Sequence, residues 1–135
     1  MTQIFADTSY WIALLSPRDE LHAAAAKLSG KISAARIVTS EMVLTELLNG
    51  FSEMGRLWRL AAVKAVEDIL GSPAIEVVPQ AGLFEKALAQ YKRFADKSWS
   101  VTDCASFMIM ESYRIESALT HDQHFVQAGF QALLR

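Results

Sequence analysis

Short apolar runs alternate with longer stretches of helical periodicity along the whole chain, and that rhythm limits the folds open to it. Gln3-Ile4-Phe5-Ala6, Arg36-Ile37-Val38-Thr39, Ala74-Ile75-Glu76-Val77-Val78 and Ser117-Ala118-Leu119-Thr120 read as strands, the third closed by Pro79. Asp7-Thr8-Ser9 reads as a helix cap after the first strand. Residues 21–28 are alanine-rich and helical, with Gly30 placed to stop them. Further helices are expected over 41–51, 56–70, 83–95 and 102–113, and a short helical turn within 121–127. Strands this short and apolar, separated by helices, predict a parallel sheet covered on both faces. In such α/β folds ligands bind outside the carboxyl ends of the strands.

The 135 residues contain no repeat, low-complexity tract or linker, so a single domain over 1–135 is expected. One cysteine, Cys104, excludes an internal disulfide and a structural zinc site of several thiolates. No apolar stretch approaches the ~20 residues that span a bilayer. The longest early apolar run, residues 10–15, follows an acid rather than a basic segment, so no signal peptide and a cytoplasmic location are expected.

Three acids stand where elements begin or end. Asp7 follows the first strand, Asp122 follows the last, and Asp103 lies in the first turn of the helix from 102. In a parallel sheet Asp7 and Asp122 leave the same edge. Each alone is explained by helix capping, and Ser100-Val101-Thr102-Asp103 matches the capping-box pattern. Glu46 is different. At about 100° per residue it falls between Met42 and Val43, at the margin of an apolar arc running through Val43, Leu47, Phe51 and Leu48. A carboxylate there needs a partner, either a cation such as Arg56 or a site shared with the other acids.

If Asp7, Glu46, Asp103 and Asp122 converge, they cannot all stay ionised unaided. Two carboxylates ~4 Å apart repel by roughly 4 kcal/mol at an effective dielectric of 20. Either their pKa values rise or a divalent cation neutralises them, and oxygen-only ligands select hard ions such as Mg²⁺ or Mn²⁺. Such an ion lets a phosphate approach an acidic cleft and acidifies water there.

At these residues the chain resembles a known family. Asp7-Thr8-Ser9, Thr45-Glu46-Leu47-Leu48-Asn49-Gly50, Thr102-Asp103-Cys104-Ala105-Ser106-Phe107 and Thr120-His121-Asp122-Gln123-His124-Phe125 are similar to the successive motifs of PIN-domain ribonucleases, above all VapC-type toxins of toxin–antitoxin pairs. Gln127-Ala128-Gly129-Phe130 closes the pattern. The resemblance implies a three-layer α/β/α fold around a parallel sheet and cleavage of RNA by metal-activated water, with one or two Mg²⁺ or Mn²⁺ ions. It assigns Asp7, Glu46 and Asp103 as the main metal-binding catalytic acids, with Asp122 completing the site directly or through water. Thr8, Ser9 and Thr120 become hydroxyls that orient carboxylates or waters. The resemblance also implies a homodimer and a cognate antitoxin at the acidic cleft. Trp11, Phe51 and Trp58 lie on or near helices that could serve such interfaces, although residues of this kind are more often simply core.

Several residues read more plainly. His121 and His124 flank Asp122, but no Glu or Cys joins them at a zinc spacing, so His124 is expected to be structural or to face substrate. Cys104 reads as a small buried side chain and Asp96 as a solvated loop acid. Lys92, Arg93 and Lys97 read as an ordinary solvated surface.

Two other functions share parts of this pattern. A receiver-like Mg²⁺-binding signalling domain expects an acid after a middle strand and a late Lys, whereas here that strand ends in Val78-Pro79 and no Lys follows Lys97. A haloacid-dehalogenase-type phosphatase expects an acid where Ser9 stands. A catalytically silent PIN-like module that only binds a partner is the remaining alternative. The net charge of −2 does not exclude RNA. Setting four of the fifteen acids aside as a metal site leaves eleven against thirteen basic residues, about +2 for the rest of the chain.

Overall fold

A computed structural model describes residues 2–135. Its strands are β1 (Gln3–Ala6), β2 (Arg36–Ser40), β3 (Ile75–Val78), β4 (Ser117–Leu119) and β5 (Gln131–Ala132). They form one sheet in the order β3-β2-β1-β4-β5, and every neighbouring pair is parallel. The helices are α1 (Thr8–Leu15), α2 (His22–Lys31), α3 (Glu41–Gly50), α4 (Arg56–Gly71), α5 (Leu83–Arg93), α6 (Val101–Tyr113) and α7 (Gln123–Gln127). Helix α1 packs against α2, α3 and α4, while α5 lies on α6 and α6 meets α7. Parallel strands need crossovers that place helices on the sheet faces, and the result is the expected three-layer α/β/α architecture.

The centre of the sheet carries the core. Phe5 and Ala6 of β1 and Ala118 and Leu119 of β4 are fully buried, as is Phe125 of α7. Phe5 pairs with Ala118 and Ala6 with Leu119. The next residues, Asp7 and Thr120, therefore emerge side by side at the carboxyl end, and the Asp7 amide donates to the Leu119 carbonyl at 3.2 Å. On the other flank the Thr39 hydroxyl donates to the Ala6 carbonyl at 2.8 Å and accepts from the Trp11 indole at 3.4 Å. Those bonds seat α1 directly behind Asp7.

The observed elements follow the expected ones with a few physical corrections. Gly30 does not stop its helix; it lies inside α2, which runs to Lys31. A glycine in an exposed last turn costs about 1 kcal/mol against alanine, too little to end a helix there. Helix α5 ends at Arg93, two residues early, because Phe94 leaves it and packs on Trp99 with ring centroids 5.1 Å apart. Strand β5 was not anticipated, since two residues carry no readable alternation. Leu48 is 37% exposed and Leu44 buried, so the apolar arc of α3 lies further toward Leu44 than expected. Trp11 and Phe51 are buried, and Trp58 stacks on Phe51 at 5.5 Å, so all three serve the core. Among the described residues no helix is long and apolar enough to cross a membrane.

Candidate active site

All four acids singled out from the sequence, Asp7, Glu46, Asp103 and Asp122, line one cleft of about 350 Å³. Thr8, Ser9, Ile12, Ser98, Ser100 and His124 complete the lining, which therefore holds no Lys or Arg. A hollow of about 450 Å³ elsewhere, lined by Trp11, Leu14, Leu47 and Ile69, is mostly apolar and holds a single acid, Asp68. Convergence of several carboxylates thus distinguishes the first cleft.

Each acid is held by a different local device. Asp7 occupies the capping position of α1, but its side chain makes no capping bond, so the helix-cap explanation does not account for it. Its Oδ2 accepts instead from the Thr120 hydroxyl at 2.8 Å and the Ser9 hydroxyl at 3.4 Å. Those two hydroxyls also lie 3.2 Å apart, and Thr120 Oγ1 accepts from the Asp122 amide at 3.1 Å. Glu46 Oε1 accepts from the Thr8 hydroxyl at 2.6 Å. Its alternative partner, Arg56, forms no ion pair with it among the described residues.

Asp103 and Asp122 are both capping residues. Ser100 and Asp103 form a reciprocal capping box, with bonds of 2.9 and 3.0 Å, as the sequence pattern predicted. Asp122 caps α7 by accepting from the His124 amide at 2.8 Å. Capping does not exhaust them, because the His124 ring reaches both: Nδ1 lies 2.9 Å from Asp103 Oδ2 and 3.3 Å from Asp122 Oδ1. Asp103, Asp122 and His124 form the tightest group, with ligand atoms within 4.8 Å of one another. Asp7 and Glu46 line the cleft outside that group.

The electrostatics follow from this crowding. Burial pushes the Asp7 carboxyl up from 3.8 to about 6; the Thr120 hydroxyl and the Thr8 backbone oppose the shift, while the charges of Asp103 and Glu46 add to it. Asp103 is raised as well, chiefly by burial, with Ser100 and His124 opposing and Asp122 reinforcing. Raised carboxyl groups with no Lys or Arg lining their cleft fit a divalent cation, whose charge removes the repulsion that burial intensifies. Carboxylate oxygens are hard donors and suit hard ions.

The matching family model, that of the PIN domain, spans residues 4–131. The chain belongs to the PIN domain family. This PIN domain is 33% identical over 130 residues to the 23S rRNA-specific endonuclease VapC20 of Mycobacterium tuberculosis, covering 94% of this chain and 95% of that protein. It also superposes on the crystal structure of M. tuberculosis VapC20, a sarcin–ricin loop cleaving toxin, with a TM-score of 0.81 and 32% identity. That match covers 94% of this chain and 95% of the other. FitAcB from Neisseria gonorrhoeae shares the fold alone, with a TM-score of 0.62 and 18% identity over 96% of this chain and 94% of that one. The resemblance to PIN-domain ribonucleases of the VapC type is borne out, and the receiver-like alternative is not favoured.

Sequence reasoning missed one member of this PIN-domain cleft. His124, expected only to be structural or to face substrate, contacts two of the four acids. The available signal was its place two residues after a capping Asp, where the cap bond draws the carboxylate against the ring. The other histidine, His121, pairs through Nδ1 with the Leu134 carbonyl at 3.0 Å and does not line the cleft. Cys104 is buried, its thiol pushed up by burial and then by the Asp103 charge, which opposes a role as nucleophile. Asp96 is exposed beside Lys97, a solvated loop acid as expected.

Proposed function

We propose that this chain is a metal-dependent endoribonuclease acting as the toxin of a toxin–antitoxin pair, its single PIN domain comprising residues 1–135. One observation carries the proposal: four carboxylates from four different segments of the chain line one cleft without a lysine or arginine. Asp7, Glu46, Asp103 and Asp122 are the catalytic acids and would hold one or two Mg²⁺ or Mn²⁺ ions. When bound, the divalent ion supplies the charge that lets a phosphodiester enter and makes water a better nucleophile at neutral pH.

The chain's own residues do the positioning. Thr120 and Ser9 hold one oxygen of Asp7 by hydroxyl bonds. Thr8 holds Oε1 of Glu46 and leaves Oε2 without a hydrogen-bond partner among the described residues. Ser100 fixes Asp103 to the start of α6. A carboxylate turned this way presents a defined lone pair and loses less freedom when it ligates.

Likeness to VapC20 supports ribosomal RNA as the substrate class, with the sarcin–ricin loop the first RNA to try. RNA cleavage of this kind takes place in the cytoplasm. The chain pairs with itself and with an antitoxin, which agrees with the large apolar side chains on its surface, including Leu57, Leu60 and Val63 on α4 and Phe84, Leu88 and Tyr91 on α5.

The test is incubation of the purified, partner-free protein with 23S rRNA and a sarcin–ricin loop oligonucleotide, with Mn²⁺ or with EDTA. Cleavage in Mn²⁺ that stops in EDTA and in Asp7→Asn supports the reading. Cleavage that persists in EDTA, or in both Asp7→Asn and Asp103→Asn, refutes it.

A further inference from the structure

We propose that His124 is a positioning residue whose Nδ1–H links Asp103 to Asp122 and sets the metal affinity of the cleft. The proposal rests on the reading of these acids as metal ligands. His124 is the second residue of α7, and its backbone amide donates to Asp122 Oδ1 at 2.8 Å, which draws that carboxylate beside its own ring. Nδ1 then crosses to α6, lying 2.9 Å from Asp103 Oδ2 while remaining 3.3 Å from Asp122 Oδ1. Ionised carboxylates only accept, so Nδ1 carries the hydrogen.

This bond orders the free oxygens. Asp103 Oδ2 already accepts from the Ser100 amide, so that oxygen takes both bonds and Oδ1 has no hydrogen-bond partner among the described residues. Asp122 likewise takes its contacts on Oδ1, and its Oδ2 has no hydrogen-bond partner among the described residues. The two acids belong to different helices, and this single N–H is the only side-chain hydrogen bond from α7 to either carboxylate among the described residues. Since Nδ1 is committed to a carboxylate, the ring acts on a cation through the acids and not as a ligand from that nitrogen. Groups that orient ligands in this way are worth about 10–100-fold in metal affinity.

Calorimetric titration of wild type, His124→Ala and His124→Asn with Mn²⁺ tests this directly, with thermal unfolding used to confirm that each variant is folded. Asparagine can present an amide N–H near the position of Nδ1. His124→Ala is expected to weaken Mn²⁺ binding by about 10–100-fold and His124→Asn to recover most of it. In RNA cleavage, His124→Ala should regain its kcat as Mn²⁺ is raised to saturation. An alanine variant within about twofold of wild type in affinity overturns the proposal, as does an asparagine variant no better than alanine. Activity still missing at saturating Mn²⁺ also overturns it, because His124 would then be acting on the RNA. A wild type that binds Mn²⁺ but cuts no RNA removes the nuclease reading alone, and the affinity ranking still judges His124. A wild type that binds no Mn²⁺ overturns both.

Discussion

Two acid sites in this molecule are built on opposite principles. Glu76 of β3 is closed by the protein itself: Arg36 Nη2 lies 3.5 Å from Oε1, and the Tyr113 hydroxyl donates to Oε2. In the cleft, the side-chain partners of Asp7 and Glu46 among the described residues are hydroxyls, and Asp103 and Asp122 share one histidine ring. Both arrangements satisfy hydrogen bonds, but only the first supplies a permanent positive charge. An acid with its own arginine is electrostatically complete, whereas acids held by hydroxyls are oriented without being neutralised. The cleft is therefore the place where an outside cation gains most.

The sharpest way to break this comparison is to remove one charge from each site. Asp7→Asn and Asp103→Asn should each lower metal-dependent RNA cleavage by more than about a hundredfold, beyond the effect of a group that merely orients a ligand. The same changes should leave the metal-free protein as stable as wild type at pH 7 or more so, because each removes a charge that burial disfavours. Activity assays beside urea melts in EDTA read both effects. Parallel loss of activity and stability would mean that these acids hold the fold together.

The pH dependence follows from the Asp7 shift. Its carboxyl titrates at 3.8 ordinarily and at about 6 in the folded chain. Below 3.8 it is neutral in both states, so its contribution to stability is fully present. As pH rises through 6 the folded state takes on a buried charge, and that contribution is lost. That difference corresponds to about 3 kcal/mol, so metal-free stability should fall by up to that amount between about pH 4 and pH 6. The shift of Asp103 has the same sign. Urea melts across this range in EDTA should show the fall in wild type and a weaker one in Asp7→Asn. Mn²⁺ at pH 7 should restore what was lost. A wild-type curve no steeper than that of the Asn variant would show that Asp7 carries no buried charge.

How far the sequence exposed these two sites depended on how local their causes were. Asp7, Asp103 and Asp122 were legible because each sits at a junction between elements, and junctions are marked by composition. Glu46 was legible through its angle on α3, although its arc is displaced toward Leu44. His124 was not, because its partner lies on α6, and a contact between helices distant in the chain leaves no local pattern. The Arg36–Glu76–Tyr113 network escaped for the same reason: it depends on the register that pairs β2 with β3 and on where α6 ends.

A smaller effect separates orientation from charge within the cleft. Thr8 donates to Glu46 at 2.6 Å, and a bond to a charged acceptor is worth about 1.5–3 kcal/mol. Thr8→Val keeps the shape and removes the donor. It should cost about 1.5 kcal/mol in urea melts and weaken Mn²⁺ binding by about tenfold, with Thr8→Ser recovering both. If serine fails to restore the affinity, the threonine methyl matters and the hydroxyl does not.

The smallest expected effect is the control that gives the others meaning. Glu76→Gln removes the charge from the completed site and leaves a side chain of the same shape, able to accept from Tyr113 through its carbonyl. Arg36 and Glu76 are both more than a third exposed, so solvent screens the pair and it contributes less than about 1 kcal/mol. The Tyr113 hydroxyl, pushed above its ordinary value first by donating to Glu76, should titrate lower once that acceptor is neutral. Ultraviolet titration of tyrosinate reads that change, while Mn²⁺ affinity and RNA cleavage should stay at wild-type levels. Glu76 does not line the acidic cleft, so a drop in Mn²⁺ affinity in this variant would mean that charge anywhere in the sheet tunes the metal. An unchanged affinity, set beside the loss in Asp7→Asn, ties metal affinity to the acids that no arginine neutralises.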